Sequence, residues 1–386
     1  MKEPIKVLQV APLGAGGVTS LILNIAEKLD NEKVNFDYLT FYDRTEFNEK
    51  RAKDLGGKKY VVPIDHYKNP LIRSLFKFFY AIKVIRSSGA DIIHINGSKP
   101  YDVLVGVSAK MAGVKIVFFH SHNSSMDKET GINKIIMSLF KKLIPVISDY
   151  NLACSDLAAQ FMFPDKILNA NNFTVIKNAI DVEKYRFSED VREKYRKKLN
   201  VENNLVVGHI GRFMPQKNHK FLIDIFAEIY KKRPDATLIL IGNGELFDDI
   251  KQYVEKKQLS SVVRFYGTTN EIPQILQAMD CFLLPSFYEG LPVVGVEVQA
   301  SGLPLILTDT VTKEVDFSDL VEYLSLDDSA EKWAECVIKY AEIKRERRNY
   351  PDIVRNAGFD VCSETEKLTR LYEKYMEENS GNTKGK

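Results

Sequence analysis

The sequence predicts an α/β protein built from two consecutive doubly wound domains, each with a parallel sheet. The length is the first observation, because 386 residues are more than one ordinary hydrophobic core holds. The second is an alternation of short apolar runs with segments of helical spacing, which is typical of parallel sheets covered on both faces by helices. The third is that this alternation ends near residue 180 and begins again near residue 205. Two such series predict two domains.

The first series gives an N-terminal domain over residues 1–180. Each predicted strand is a short apolar run, and each predicted helix has apolar residues three or four positions apart. The predicted strands are 5–11, 36–42, 60–64, 91–96, 115–120, 151–155 and 174–180, and the predicted helices are 21–29, 70–87, 101–112 and 131–145.

The second series gives a C-terminal domain over residues 181–362. An amphipathic helix over 363–379 follows it with no further strand, and the polar tail 380–386 is predicted to be disordered. The predicted strands are 205–212, 236–242, 262–267, 281–285 and 303–307, and the predicted helices are 220–233, 245–258 and 272–279.

Composition excludes several classes of protein. Lys and Arg number 54 and Asp and Glu number 52, so the net charge of +2 favours neither a nucleic-acid partner nor an acidic tail. Four widely spaced cysteines without a CxxC motif predict reduced thiols in a cytoplasmic protein. The sequence contains no apolar run of the length that a secretory signal or a membrane span needs, so a cytoplasmic location is expected.

A glycine-rich turn, PLGAGGVTS over residues 12–20, lies between the first strand and the first helix. Glycine lets a ligand approach the backbone closely, and the start of a helix favours negative charge. Gly14, Gly16 and Gly17 do not form the GxGxxG motif of dinucleotide sites. The turn is therefore either a ligand-binding loop or only a tight packing turn, and both interpretations stay open.

Two carboxylates, Glu289 and Glu297, lie eight positions apart within residues 281–309. This segment reads as strand, loop, helix and strand, with Glu289 in the loop and Glu297 in the helix. Eight helical residues span about 12 Å, too far for two acids that share one proton. The valines around Glu297 predict a buried helix, in which an unpaired carboxylate is costly. We therefore expect the hydroxyls of a ligand as its partner.

Arg212 and Lys217 follow the first predicted strand of the second domain. Arginine offers a rigid fork of donors and lysine a mobile charge, and together they suit a diphosphate. Alone, such a pair is more often solvated surface. In the same domain as two spaced glutamates, the pair indicates a diphosphate site.

The strand 115–120 runs into HSHN, residues 120–123. Residues two apart share a face of a strand, so two histidines in this spacing are able to bind a metal ion. Only Asp127 and Glu129 lie nearby to complete a ligand set, which disfavours a metal site. Polar groups at the carboxyl end of a parallel strand are instead where catalytic side chains are expected.

These motifs together resemble one enzyme family. The glycine loop, a strand-end histidine, VIKNAID, GR-x4-K, E-x7-E and ASGLP occur in the order of the retaining glycosyltransferases of family 4. The chain is most similar to their bacterial capsular and exopolysaccharide members, although NAID at 178–181 differs by one alanine from the usual NGxD. The resemblance implies the GT-B fold, with an acceptor-binding and a nucleotide-sugar-binding Rossmann-like domain. It also implies an active site in the interdomain cleft and a C-terminal helix that returns to the first domain.

The resemblance implies roles for the charged residues. Arg212 and Lys217 would stabilise the leaving nucleoside diphosphate, Glu297 would bind the ribose hydroxyls, and Glu289 would face the hydroxyls of the donor sugar. Pro292 suits the first turn of the helix that contains Glu297. Further contacts to the donor are implied for Gly16, Gly17, Gly267, Thr268, Gly290, Leu291 and Pro292.

The family places one histidine beside the anomeric carbon of the donor sugar. Two histidines, His120 and His122, compete for this position here, and we favour His120. His122 and Asn123 are then expected on the acceptor side.

The implied activity is transfer of a sugar from a nucleotide donor, a UDP-sugar by resemblance, to a hydroxyl of a glycan or lipid-linked acceptor. No DxD motif occurs where a metal-dependent enzyme would need one, so no metal or other cofactor is expected. Two alternatives stay open: a nucleotide-sugar 2-epimerase, and a catalytically silent subunit that binds donor for a partner transferase.

Two segments, 69–89 and 132–145, combine basic with apolar and aromatic residues. Such helices suit the surface of an anionic membrane, but also the outer face of an ordinary α/β domain. Peripheral contact with the inner face of the cell membrane is therefore an open expectation, and no nucleic-acid partner is expected.

Overall fold

The computed structural model of the protein describes residues 3–63, 70–123 and 132–381. The chain divides into two units. The first unit contains Met1–Ala179 together with Val361–Lys386, and the second contains Ile180–Asp360. The tail predicted to be disordered lies largely outside the described residues, as do Asp127 and Glu129.

The first unit is a seven-stranded parallel sheet in the order β3-β2-β1-β4-β5-β6-β7. Its strands are β1 (Ile5–Val10), β2 (Val34–Thr40), β3 (Lys59–Val61), β4 (Ile92–Gly97), β5 (Ile116–Ser121), β6 (Tyr150–Ala153) and β7 (Phe173–Val175). The helices between them are α1 (Gly17–Lys28), α2 (Glu49–Asp54), α3 (Pro70–Ser88), α4 (Val103–Ala112), α5 (Ile132–Ile147), α6 (Asp156–Met162) and α7 (Asp165–Leu168).

The second unit is a six-stranded parallel sheet in the order β10-β9-β8-β11-β12-β13. Its strands are β8 (Leu205–Ile210), β9 (Ala236–Ile241), β10 (Val263–Gly267), β11 (Cys281–Leu284), β12 (Leu305–Thr308) and β13 (Val321–Leu324). Its helices are α8 (Glu189–Lys198), α9 (His219–Lys232), α10 (Phe247–Lys256), α11 (Ile272–Ala278), α12 (Val293–Ala300), α13 (Ala330–Glu342) and α14 (Tyr350–Asn356).

The core strands are apolar on both faces because helices cover both sides of each sheet. Every residue of β9 and β11 is buried, and so is every residue of β5. Two apolar clusters flank each sheet, one on either face. This is the arrangement that continuous apolar runs predict for doubly wound sheets.

Several elements of the second unit were not predicted. The strand β13 is short and only its last residue, Leu324, is buried. The helix α8, with the sequence EDVREKYRKK, is mostly charged and buries only Tyr195 and Arg196. Neither segment has the apolar periodicity on which the prediction relied. Contacts with neighbouring elements stabilise both segments instead.

The last helix, α15 (Val361–Gly381), packs on the first unit and is longer at both ends than predicted. Leu368 and Tyr372 are buried in the apolar cluster that covers one face of the first sheet. The Tyr372 ring meets Phe118 edge-on, with centroids 5.1 Å apart. These contacts anchor the C-terminal helix to strands from the N-terminal half of the chain.

Across the described ranges, no helix combines the length and the apolar character that a membrane crossing requires.

Candidate active site

The sheet of the second unit reverses its strand order between β8 and β11. Loops that follow such a pair of strands lead to opposite faces of the sheet, and the space between them is where doubly wound sheets bind ligands. The loop after β8 contains Arg212 and Lys217, and the loop after β11 contains Glu289 and Gly290. Four residues predicted to contact the donor therefore lie at the switch point of one sheet.

Lys217 and Glu289 form an ion pair at this switch point. The ammonium Nζ lies 2.6 Å from Oε1 of the carboxylate, and the two side chains are only 15% and 10% exposed. Gln216 donates from Nε2 to Oε2 of Glu289 at 3.3 Å and to the carbonyl of Tyr288 at 2.9 Å. The N–H of Phe287 donates to the carbonyl of Gln216 at 2.8 Å. These bonds join the two loops and fix the charged pair in place.

Glycines allow the loops after β8 and β9 to approach closely. A Cβ on Gly242, which has a φ of +136°, would clash with the carbonyl of Gly211, and one on Gly244 would clash with the backbone of Phe213. A Cβ on Gly211 itself would come within 3.2 Å of the Lys217 stem. The backbone around Gly211 therefore forms a wall against which the lysine stem lies.

Arg212 differs from Lys217 in its surroundings. Its side chain is exposed, and within the described part of the chain its guanidinium makes no hydrogen bond or ion pair. Both residues were expected to meet a diphosphate, but only Lys217 is held by a protein carboxylate.

Glu297 lies on α12 and is half-buried. The hydroxyl of Tyr185 donates to its Oε1 at 2.7 Å. Burial raises the pKa of Glu297 to about 7, and the Tyr185 hydrogen bond acts in the opposite direction. In the ligand-free chain a tyrosine from a turn more than a hundred residues earlier is the partner of this carboxylate, and the expected ligand hydroxyls stay a prediction.

The helix α12 begins at Val293, and Pro292 is its N-cap instead of lying in its first turn. Gly290 and Leu291 precede the cap and are half-buried. The proline side chain has no acceptor for a hydrogen bond, so it does not cap the first backbone N–H groups of the helix.

Gly267 ends β10 with a φ of +75°, and Thr268 after it is exposed. The carbonyl of Gly267 accepts the N–H of Gly242 at 2.9 Å. Gly267, which is implied to contact the donor, is thus tied to the loop after β9.

In the first unit, the glycine loop follows β1 beside the switch point between β1 and β4. A Cβ on Gly14 or Gly16 would meet nothing within 4 Å, and neither residue has a positive φ. Packing within the unit therefore does not require glycine at these two positions, and the ligand-binding interpretation stays a prediction. The helix α1 begins at Gly17, with Gly16 as its extended N-cap.

Two polar residues from the segment after β2 hold this loop. Glu46, which is buried, accepts the N–H of Leu13 at 2.9 Å and the hydroxyl of Thr40 at 3.0 Å. Asn48 donates from Nδ2 to the carbonyl of Gly14 at 2.9 Å. Glu46 and Asn48 therefore hold the backbone of the glycine loop, while the space next to Gly14 and Gly16 stays open.

Both candidate histidines lie at the carboxyl end of β5, His120 within the strand and His122 just after it. His120 is only 2% exposed, whereas His122 just past the strand is half-buried. Their ring centroids lie 4.0 Å apart. Asn123 donates from Nδ2 to the carbonyl of Ser98 at 3.1 Å, which ties this strand end to the loop after β4.

Burial keeps both imidazoles neutral at pH 7. It lowers the pKa of His122 to about 4, with the side chain of Asn178 acting in the opposite direction. It also lowers the pKa of His120 well below its usual value, and the neighbouring His122 adds to this. Within the ranges that the structure describes, no group of three or more His, Cys, Asp or Glu side chains is arranged to hold a metal ion.

Comparison with known proteins bears on the identity of this site. The family Glycosyltransferase Family 4 matches residues 15–184, and the family Glycosyl transferases group 1 matches residues 191–356. The chain is 30% identical over 368 residues to EpsF of Bacillus subtilis (strain 168), which carries the name of a glycosyltransferase. That alignment covers 93% of this chain and 94% of EpsF. The chain belongs to glycosyltransferase family 4.

Two more distant comparisons agree with this. The glycosyltransferase is 25% identical over 307 residues to the UDP-Gal:alpha-D-GlcNAc-diphosphoundecaprenol alpha-1,3-galactosyltransferase of Escherichia coli, with 78% of each chain covered. HepE from Anabaena, solved in complex with UDP and glucose, has a TM-score of 0.74 at 19% identity, covering 96% of this chain and 99% of HepE. At that identity the likeness shows the fold, and the predicted GT-B architecture is confirmed.

Three side chains that hold residues of the candidate site were not singled out in the sequence. Gln216 braces Glu289, Tyr185 bonds Glu297, and Glu46 holds the glycine loop. The position of Gln216 beside Lys217 was the only local signal. Tyr185 and Glu46 belong to no motif, and only the folded chain brings them to their partners.

Two further histidines are buried in the second unit. His219 is the first residue of α9 and packs against the Phe213 ring, with centroids 4.2 Å apart. His209 is a core residue of β8, and its Nδ1 lies 2.8 Å from the carbonyl of Leu283. Its Nε2 has no partner within the described residues, so it is not fully satisfied.

We expect Glu297 to make stability depend on pH. Its pKa is raised from 4.5 to about 7 by burial, so the stability that the protonated carboxyl provides is fully present below the unfolded pKa and is lost as pH rises through the folded pKa. Relative to Glu297→Gln, the free energy of unfolding of the wild type should fall between about pH 5 and about pH 8. Urea unfolding of both proteins at these two pH values measures the difference. An equal pH dependence in the two proteins would contradict the assignment.

Proposed function

We propose that the protein is a retaining hexosyltransferase that moves a sugar from a UDP-sugar to a hydroxyl of a glycan or lipid-linked acceptor in bacterial polysaccharide synthesis. The observation that carries this proposal is the Lys217–Glu289 pair at the switch point of the second sheet. A cation for a diphosphate and a carboxylate for sugar hydroxyls stand side by side there. The names of the relatives, one of them a UDP-Gal-dependent transferase to a lipid diphosphate, support the same class.

The donor assignment follows from charge and placement in the second unit. The exposed Arg212 guanidinium and the Lys217 ammonium supply positive charge for the diphosphate. The backbone N–H groups of Gly290 and Leu291, just before the N-cap of α12, add further donors near the helix start. Glu289 faces the sugar hydroxyls, and Glu297 accepts from the ribose hydroxyls together with Tyr185. Gly267 and Thr268 lie beside the base.

In the proposed reaction the bond from the anomeric carbon to the diphosphate oxygen breaks and a bond to the acceptor oxygen forms. The acceptor hydroxyl releases its proton, and the departing diphosphate gains negative charge. Fixed cations oppose that charge better than mobile ones, because they need no reorganisation as the charge develops. Lys217 is fixed in this way by Glu289 and by the Gly211 backbone.

The first unit is proposed to supply the acceptor side. The glycine loop has open space at Gly14 and Gly16, and Gly17 begins α1. His122 and Asn123 follow the end of β5 in the same sheet. His120 takes the position beside the anomeric carbon. Retention of the anomeric configuration is proposed from family membership.

Loss of either cation should slow turnover. Lys217→Ala and Arg212→Ala should each lower kcat by about one to three orders of magnitude, in the range of losing a preorganised charge stabiliser. Lys220→Ala, which removes an exposed cation on the adjacent turn of α9, is the matched control and should stay near wild type. Steady-state rates with a UDP-sugar and a lipid-linked acceptor provide the test. Full activity in both site variants would refute the diphosphate assignment.

The proposed chemistry needs no divalent metal, since side-chain cations and helix N–H groups oppose the charge on the leaving group. Treatment with EDTA should therefore leave the rate within about twofold of that of the untreated enzyme. The measurement compares initial rates with EDTA, without EDTA, and after manganese is added back. Strong inhibition that manganese reverses would overturn the metal-free proposal.

We also propose that helices of the first unit rest on an anionic membrane. The helix α4 packs against α3 and α5, and the three helices expose large apolar side chains. On α5 these are Ile135, Leu139 and Val146, each at least 60% exposed, and on α3 Phe79 is 63% exposed. Residues 70–88 and 132–147 contain Lys and Arg but no Asp or Glu. Apolar side chains with basic neighbours suit an interface of anionic headgroups.

Leu139→Glu should weaken binding to vesicles that contain phosphatidylglycerol, because it places a carboxylate where an exposed apolar side chain would enter the interface. Co-sedimentation with these vesicles and with pure phosphatidylcholine vesicles measures the effect. Ile343→Glu, at an exposed apolar position of the second unit, is the control. Equal binding by wild type and Leu139→Glu would remove the basis for a membrane-facing surface.

A further inference from the structure

A continuous chain of hydrogen-bonded side chains runs through the interior of the first unit, and the proposed function uses only its ends. It joins β1, β4, the end of β5 and the C-terminal helix α15. Four of its members are at most 2% exposed. In order, the members of this polar chain are His122, Asn96, Gln9, Tyr372, His94 and His120.

The hydrogen atoms in this polar chain run in one direction, and Asn96 sets it. Its Nδ2 lies 3.4 Å from the carbonyl of His94 and 3.5 Å from that of Val10. Carbonyls only accept hydrogen bonds, so the amide nitrogen must be on this side. Nδ2 then donates to Oε1 of Gln9 at 3.0 Å. Oδ1 faces Nε2 of His122 at 3.0 Å, so that histidine nitrogen carries a hydrogen.

The direction continues through Gln9 and Tyr372. With its oxygen occupied by Asn96, Gln9 donates from Nε2 to the hydroxyl oxygen of Tyr372 at 3.3 Å. The tyrosine hydrogen then has one acceptor left within the polar chain, Nδ1 of His94, which lies 2.5 Å from the hydroxyl. Burial raises the pKa of Tyr372, so the hydroxyl keeps this hydrogen at all ordinary pH values.

The last step fixes His120. Burial lowers the pKa of His94 to about 3, so this ring is neutral and carries one hydrogen. Because Nδ1 of His94 accepts from Tyr372, the hydrogen is on Nε2, which donates to Nδ1 of His120 at 3.2 Å. The neutral ring of His120 must then carry its own hydrogen on Nε2.

At each end of the polar chain one buried nitrogen makes no hydrogen bond of good geometry to the described residues: Nε2 of His120 and Nδ1 of His122. The backbone of Ile176 and the side chain of Asn178 nevertheless lie close enough to raise the pKa values of the two rings, against the effect of burial. The direction of the hydrogen bonds makes Nε2 of His120 an N–H donor and Nδ1 of His122 a lone-pair acceptor. A buried donor without a well-aligned acceptor is costly, and at a predicted catalytic position a substrate oxygen is the acceptor that would satisfy it.

We propose that Tyr372 and His94 are positioning residues, which hold His120 in the tautomer whose hydrogen is on Nε2. In this tautomer Nε2 has no lone pair, so His120 donates a hydrogen bond to a substrate oxygen and does not remove a proton from the acceptor. The role in transfer rests on the proposed function of His120. The tautomer itself is a property of the ligand-free chain, and it can be measured separately.

The tautomer is measured by ¹⁵N NMR of the histidine rings in the full-length protein, whose six histidines are assigned by single substitutions. In the wild type, Nε2 of His120 should have the shift and proton coupling of a protonated nitrogen, and Nδ1 those of an unprotonated one. Tyr372→Phe removes the donor to His94 and should produce a mixture of tautomers at His120. The wild-type spectrum alone tests the direction, even if this variant does not fold.

Two further variants complete the test. Tyr375→Phe is the matched control: Tyr375 lies one turn away on α15 with its ring against Phe118, and its hydroxyl makes no hydrogen bond to the described residues. Gln9→Met keeps the volume but removes the donor to Tyr372, so it should also release the tautomer. Turnover should fall by about tenfold to a hundredfold in Tyr372→Phe and Gln9→Met, in kcat more than in KM, and stay near wild type in Tyr375→Phe.

The possible outcomes distinguish the positioning role of Tyr372 and His94 from the proposed catalytic position of His120. A wild-type His120 with its hydrogen on Nδ1, or an unchanged tautomer in folded Tyr372→Phe and Gln9→Met, would overturn the positioning role. A tautomer mixture together with lower kcat supports it. A tautomer mixture with wild-type turnover supports the hydrogen-bond direction but refutes the catalytic position of His120 in the proposed function.

Discussion

Parallel strand pairing is the constraint on which the rest of this structure depends. All strands of a sheet run the same way, so every loop that follows a strand opens at the same edge. The order then reverses between β1 and β4 in one unit and between β8 and β11 in the other, which separates the loops on either side. In the second unit this brings Lys217 and Glu289, 72 positions apart in sequence, to within 2.6 Å. No local sequence preference could produce that contact.

The two glutamates of the E-x7-E motif are stabilised in different ways. Glu289 lies against a lysine and a glutamine, so its charge is balanced inside the protein. Among the residues that the structure describes, the Glu297 carboxylate pairs only with the Tyr185 hydroxyl, and burial raises its pKa to about 7. One carboxylate is therefore paired with a cation, and the other has a pKa close to neutral pH. The eight-residue spacing indicated different roles for Glu289 and Glu297, and the two side chains also lie in different electrostatic environments.

The C-terminal helix joins the rest of the first unit through apolar packing and several polar contacts, among them those of the buried Tyr372 hydroxyl. Its Tyr372 is enclosed by aromatic rings from the first sheet, which orders the helix. A buried hydroxyl in such a place must find partners, and here it finds Gln9 and His94. Tyr372 thus has two roles. Its ring packs the C-terminal helix on the first sheet, and its hydroxyl orients the hydrogen bonds of the histidines. This connects the last helix of the chain to the polar groups at the end of β5.

The sequence by itself determined the fold class, the two sheets and the motifs of the second unit, because these depend on local periodicity and short spacings. It did not reveal β13 or α8, whose residues lack a periodic apolar face and form these elements only against their neighbours. Nor could it identify Tyr185 as the partner of Glu297, or Tyr372 as that of His94. Those pairs are brought together by chain topology, and a buried polar atom takes whichever partner the fold delivers. The sequence determined which chemical groups are present, and only the tertiary structure decided which hydrogen each of them holds and toward which neighbour.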